Sequence, residues 1–223
     1  MSETTTAAPE SRDAPRSKQF ILAVPEARVL EWIARRLPGF VKPDHLTALG
    51  VSASLGIAAA YVLSNGDSAW LWAASALLVV HWLGDSLDGT LARVRKAERP
   101  RYGFYLDHLV DAFATAAIGI GIGLSPYMLL SVGLAIVVAY LILSINTYLE
   151  THAFGVFNLG YGRFGPTEAR LILIVVNTLL VLELVGSGLL DVLGIGLAAV
   201  MIVALVVRAG RNLRKLAKLE PAS

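Results

Sequence analysis

Residues 69–111 read AWLWAASALLVVHWLGDSLDGTLARVRKAERPRYGFYLDHLVD. A run of about 15 largely apolar residues leads into Asp85, which is ~22 Å of helix in a hydrocarbon slab of ~30 Å. Asp88 follows one turn later, then a basic run over 93–101. A second apolar stretch opens with two more carboxylates, Asp107 and Asp111. Two membrane helices folded back on each other across a short basic loop account for this pattern. The four carboxylates then lie at matching depth, below one membrane face but inside the slab.

Stretches 46–63, 69–91, 104–124, 127–148, 167–185 and 189–207 are each about long enough to cross a bilayer. They are separated by Ser64-Asn65-Gly66-Asp67, the basic run, Ser125-Pro126, the Gly-rich 155–165 and Gly186-Ser187-Gly188, all turn or breaker signals. Composition agrees. The chain is 56% hydrophobic and 16% charged, against about 25% charged in soluble domains, with mean hydropathy +0.64. Cysteine is absent, which excludes disulfides, thiolate metal sites and Cys nucleophiles. A net charge of +2 gives no reason to expect nucleic acid as a partner.

All 19 Lys and Arg fall on one side of a six-helix layout. They precede span one (Arg28, Arg35, Arg36, Lys42), follow span two (93–101), precede span five (Arg163, Arg170) and follow span six (208–218). The positive-inside rule then puts both termini, and the carboxylates, at the cytoplasmic face of the inner (cytoplasmic) membrane. The expected organisation is a disordered tail over 1–19, an amphipathic juxtamembrane helix within 20–42 and a six-helix membrane domain over 43–223. No apolar core follows Met1, so a cleaved signal peptide is not expected. In 25–37 (PEARVLEWIARRL), Val29, Leu30, Trp32, Ile33 and Leu37 oppose Arg28, Glu31, Arg35 and Arg36. This helix lies on the inner surface, packs on the span ends, or does both.

Carboxylates within spans are costly and are functional candidates by default. The i,i+3 spacing of Asp85 and Asp88 and the i,i+4 spacing of Asp107 and Asp111 put each pair on one helix face. Four convergent carboxylates cannot all stay ionised without countercharge. Structural pairing with Arg93, Arg95 or Arg99 is one solution. Divalent cations are the other, and an oxygen-only set suits Mg²⁺, Mn²⁺ or Ca²⁺. Two-metal carboxylate sites serve displacement at phosphorus. Gly89 and Ala92 leave the backbone open to a bulky ligand.

The run Asp85-x2-Asp88-Gly89-x2-Ala92-Arg93, then residues 94–102, then Gly103-x3-Asp107-x3-Asp111 resembles the signature of the CDP-alcohol phosphotransferases, D-x2-D-G-x2-A-R … G-x3-D-x3-D. Every fixed position is filled, with a spacer one residue longer than usual. The resemblance implies an enzyme of phospholipid biosynthesis that moves a substituted phosphate group from a CDP-alcohol to an acceptor hydroxyl and releases CMP. It also implies one or two Mg²⁺ or Mn²⁺ ions held by Asp85, Asp88, Asp107 and Asp111, with Asp111 as general base. Asp88, Gly89, Ala92, Arg93 and Gly103 would line the CDP side. Pro43 and Thr47, in a segment similar to the family's Pro-Asn-x-x-Thr with Asp44 in place of Asn, would flank the cytidine. A homodimer is likewise implied by the resemblance.

Residues 148–170 form a second polar cluster. Arg163 and Arg170 suit a phosphorylated acceptor, whereas Glu150-Thr-His152 and Gly165-Pro-Thr-Glu168 resemble the branch using CDP-choline or CDP-ethanolamine with a lipid acceptor, His152 or Glu168 orienting the hydroxyl. CDP-diacylglycerol with a small polar acceptor is the preferred pairing. His81 and His108 flank the carboxylates as supporting or packing residues. A cation transporter would also carry intramembrane carboxylates, but it would not need Asp-Gly-x-x-Ala-Arg or all four Asp near one face. The small residues of 119–123 and 194–196 point to close helix packing, and Trp70, Trp72 and Tyr127 to interface anchoring.

Overall fold

The structure, a computed structural model, describes residues 22–154 and 165–220. The expected tail 1–19 and Arg163 lie outside them. The described residues form seven helices and no strands: α1 (Ala23–Ala34), α2 (Pro43–Leu63), α3 (Trp70–Val94), α4 (Pro100–Gly123), α5 (Leu130–Phe154), α6 (Pro166–Val181) and α7 (Leu189–Leu219). Proline sits at the first helical position of α2, α4 and α6, where its missing N–H is not needed.

Length and apolar composition qualify four helices as membrane-crossing: α2, α4, α5 and α7. Expected spans 69–91 and 167–185 correspond to α3 and α6, which fall outside that set. Trp70, Trp72, His81, Trp82 and the motif charges dilute α3. α6 has 16 residues, ~24 Å at the α-helical rise, because it stops at Glu183, whose φ of 56° is left-handed. There Leu184 N–H bonds back to Leu179 C=O at 2.9 Å, a helix-ending turn. α7 runs beyond the expected 207 to Leu219, where Arg208 (2.5 Å) and Asn212 (3.0 Å) bond Glu150 of α5.

Neighbouring helices form a row, α6–α3–α2–α4–α5–α7, with α1 on α3. α2 to α7 all contribute to one apolar core, including Ile57, Leu71, Ile122, Val132, Val176 and Leu190. Inside it, Tyr61 O–H donates to Asn177 Oδ1 (2.9 Å), and Asn177 Nδ2 donates to Ser75 Oγ (3.2 Å). This chain of hydrogen bonds ties α2, α6 and α3 together. The α2–α3 crossing is the closest approach on the motif side. A Cβ at Gly84 would lie 2.6 Å from Gly50 N and 2.7 Å from Leu46 O. Of the small-residue clusters, Gly119, Gly121, Gly123 and Gly194 sit in tight contacts, whereas Gly196 meets nothing within 4 Å.

α1 packs on the span ends. Leu30 and Ala34 are buried against Leu46, Leu87 and Leu91, while Val29 and Trp32 stay exposed. Arg95 fixes the α1–α2 connection, donating to the carbonyls of Leu37 (3.1 Å), Pro38 (2.8 Å) and Val41. At the opposite end Asp191 accepts from Leu129 N–H at 2.7 Å, which gives that carboxylate a structural role.

Candidate active site

The site lies where the C-terminal part of α3 faces the N-terminal half of α4. Helical phasing turns one face of each toward the other. Asp85, Asp107 and Asp111 each offer a carboxylate oxygen, and these atoms all lie within 4.8 Å of one another. All three residues are half-buried. Asp88, one turn beyond Asp85, is outside this triplet. Its Oδ2 accepts from Thr47 Oγ1 at 2.6 Å and its Oδ1 from Gly89 N–H at 2.5 Å. Thr47 also donates toward Pro43 C=O at 3.3 Å. The start of α2 is thus joined directly to the motif on α3.

The motif glycines differ from those at helix crossings. A Cβ on Gly103 would meet nothing within 4 Å, and one on Gly89 only Arg93 Nη1 at 3.5 Å. Helix packing therefore does not require glycine at either position, and the backbone there is open to close approach. Arg93 donates to Thr90 Oγ1 at 3.0 Å, and Ala92 is half-buried beside it. Asp44 pairs with Arg99, whose guanidinium stacks 3.9 Å over the Tyr102 ring.

The second cluster divides. Arg170 of α6 reaches the triplet, its Nη2 2.6 Å from Asp85 Oδ2, with the side chains 13% and 20% exposed. Glu168 is turned to the backbone. Its Oε2 accepts from Gly165 N–H (2.9 Å) and its Oε1 from Leu22 N–H (3.2 Å), so it caps α6 and anchors the start of α1. His152 is exposed in the last turn of α5. His108 Nδ1 lies 2.7 Å from Phe104 C=O, and its ring packs between Phe104 and Tyr148. His81 is 5% exposed, and its Nδ1 has no hydrogen-bond partner among the described residues.

Two contacts had no local sequence signal. Thr47–Asp88 and Arg170–Asp85 join residues 41 and 85 positions apart, beyond any helical spacing rule. The capping role of Glu168 did have one, because Gly165-x-x-Glu168 is a helix-start pattern. A cavity of about 330 Å³ opens beside Arg170 between α1, α3 and α6, walled by Leu22, Val29, Leu78, Trp82, Leu171 and Ile174.

Residues 40–209 match the family model of the CDP-alcohol phosphatidyltransferases. The chain belongs to this family. Its members are phosphotransferases acting on CDP-alcohols with divalent metals, and membership decides against the cation transporter. Over 99 residues it is 33% identical to phosphatidylinositol phosphate synthase of Cutibacterium acnes, an alignment spanning 44% of this chain and 45% of that one. The fold matches the crystal structure of Mycobacterium tuberculosis phosphatidylinositol phosphate synthase with CDP-DAG bound. The TM-score is 0.57 at 25% identity, covering 85% of this chain and 94% of that one. The carboxylate triplet suits a divalent cation by its chemistry. It offers only hard oxygen donors, convergent within a few ångströms, beside backbone left open by Gly89 and Gly103.

Proposed function

We propose that this protein transfers the phosphatidyl group of CDP-diacylglycerol to a hydroxyl of a small phosphorylated polyol, an inositol phosphate, releasing CMP. The observation that carries this reading is the convergence of Asp85, Asp107 and Asp111 within 4.8 Å with Arg170 bound to Asp85 at 2.6 Å. A cation-binding group and an anion-binding group are thereby side by side. In the balanced reaction the acceptor oxygen bonds to the β-phosphorus, the bond from that phosphorus to the bridging oxygen breaks, and the electron pair leaves with CMP. Asp111 takes the hydroxyl proton.

Asp85, Asp107 and Asp111, with Asp88 beside them, would hold Mg²⁺ or Mn²⁺, two ions in the fullest case. When bound, such ions neutralise charge developing on the pyrophosphate. Pro43, Thr47, Gly89, Ala92, Arg93 and Gly103 line the CDP side. Thr47 orients Asp88 through the 2.6 Å bond. Arg170 has five N–H donors. One serves Asp85, and others face the acceptor phosphate, with Arg163 as a second cation and His152 at the rim. Glu168 acts on the acceptor only through the helix start it caps.

α3, with 25 residues, has ~37 Å of helix, and its polar groups face α1, α2, α4 and α6. It crosses with them, and α6 crosses by using its flanking turns. The six-span domain 43–223, preceded by a tail over 1–19 and the helix within 20–42, then has both termini and the site on the cytoplasmic face, as a homodimer in the inner membrane. Purified protein in detergent with Mg²⁺ and CDP-diacylglycerol tests the substrate assignment. CMP release and a phosphorylated lipid product are expected with inositol phosphate, and much less with inositol or glycerol. Faster release with an unphosphorylated acceptor would reject the assignment.

A further inference from the structure

Glu26 lies outside every motif, yet it joins three helices. Its Oε1 accepts from Trp82 Nε1 at 2.7 Å and from Thr167 Oγ1 at 2.9 Å, with Ser86 Oγ at 3.4 Å. Trp82 and Ser86 are on α3, and Thr167 is on α6. The placement is specific. Trp82 is three residues before Asp85, and Thr167 is three residues before Arg170. Residues at that spacing share a helix face one turn apart. The Glu26 carboxylate therefore bridges α3 and α6 one turn from the Arg170–Asp85 bond that joins the same two helices.

α6 needs such a tether. Its main helix neighbour is α3, and only its later part, at Val176 and Leu180, enters the common core. The first turn, which carries Thr167 and leads to Arg170, is held by α1 instead, through Glu26–Thr167 and Leu22 N–H to Glu168 Oε1. α1 is in turn anchored on α3 by Leu30 and Ala34.

We infer that Glu26 is a positioning residue for the acceptor. Through Trp82 and Thr167 it fixes the register of α6 against α3, and so sets where the Arg170 guanidinium stands relative to Asp85. This rests on the acceptor role of Arg170 proposed above. Glu26 touches neither substrate and acts through Arg170. Partners that orient metal-ligating side chains typically contribute about 10- to 100-fold, and an effect at the low end of that range is expected for a carboxylate that orients Arg170.

The experiment pairs kinetics with a distance. In the full chain, Glu26→Ala should raise KM for the phosphorylated acceptor about tenfold, with KM for CDP-diacylglycerol and kcat at saturating acceptor nearly unchanged. Thr167→Val should move the same constant in the same direction. Glu26→Gln keeps an oxygen acceptor for Trp82 and Thr167 and should restore most of the lost affinity. The chain has no cysteine, so Ala27→Cys on α1 and Ala169→Cys on α6, both exposed, take spin labels selectively. Their distance distribution should be narrow with Glu26 or Gln present and broad with Ala.

An unchanged acceptor KM in an active Glu26→Ala protein overturns the inference. So does a loss confined to kcat and melting temperature, which is what a purely structural role produces. If the wild-type protein releases no CMP with any phosphorylated acceptor, the functional reading fails by itself. The spin-label distances then decide whether Glu26 sets the α1–α6 geometry, and an unaltered distribution in Glu26→Ala overturns that.

Discussion

Removing the Arg170 guanidinium separates substrate binding from fold maintenance. In the structure Arg170 Nη2 lies 2.6 Å from Asp85 Oδ2, with both side chains mostly buried. A hydrogen bond involving a charged group contributes about 1.5–3 kcal/mol. If one further N–H of Arg170 holds the acceptor phosphate, Arg170→Ala removes about 2 kcal/mol of acceptor binding, a rise of roughly 30-fold in KM. Arg170→Lys retains the charge but not the planar fork, and should fall between the two. Loss of the Asp85 partner also destabilises the protein, so a control of equal geometry is needed. Arg208–Glu150 supplies it, at 2.5 Å with side chains 14% and 13% exposed, between α7 and α5. Arg208→Ala should lower the melting temperature in detergent about as much as Arg170→Ala while leaving acceptor KM unchanged. The assay is initial-rate CMP release at saturating CDP-diacylglycerol with varied acceptor. An unchanged KM in Arg170→Ala, or an equal rise in Arg208→Ala, would show that Arg170 does not hold the acceptor.

Other substitutions and conditions have defined outcomes. Gly84→Ala forces a Cβ to within 2.6 Å of Gly50 N and 2.7 Å of Leu46 O, and should cost about 1–3 kcal/mol, read as a lower melting temperature. Gly103→Ala meets nothing within 4 Å and should melt like wild type while raising KM for the CDP-alcohol. Tyr61→Phe leaves Asn177, fully buried, without its hydroxyl donor, at a cost of about 1–3 kcal/mol in a thermal melt. Mg²⁺ at about 100 times its dissociation constant should stabilise the protein by about 2.7 kcal/mol, read as a rise in melting temperature that Asp107→Asn abolishes.

Legibility in the sequence followed the range of the signal. Helix breaks and prolines located the elements, because a turn is a local event. The carboxylate faces were readable because i,i+3 and i,i+4 spacing is fixed by one helix turn. The triplet joins Asp85, Asp107 and Asp111 as that phasing indicates, while Asp88 is drawn to Thr47 by a bond across 41 residues that no spacing rule contains. Arg170 stood out as a charge near a span, but its partner Asp85 is 85 residues away. Glu26 gave no signal, because its role comes from three donors on two other helices. Glu168 shows the reverse case. A polar residue in a suggestive cluster has both oxygens on backbone N–H groups, and its position three residues after Gly165 was the readable clue. The close α2–α3 crossing at Gly50 and Gly84 was hidden because one glycine in an apolar helix looks like any other until its neighbour is known.

CMP release from CDP-diacylglycerol in the presence of inositol phosphate, by the purified wild-type protein and by Asp111→Asn, each with Mg²⁺ and with EDTA, tests the reaction itself. Release by wild type that requires the divalent ion and falls at least about 100-fold in Asp111→Asn is expected for a carboxylate base at this site. Equal release by Asp111→Asn, or release undiminished by EDTA, would contradict the account.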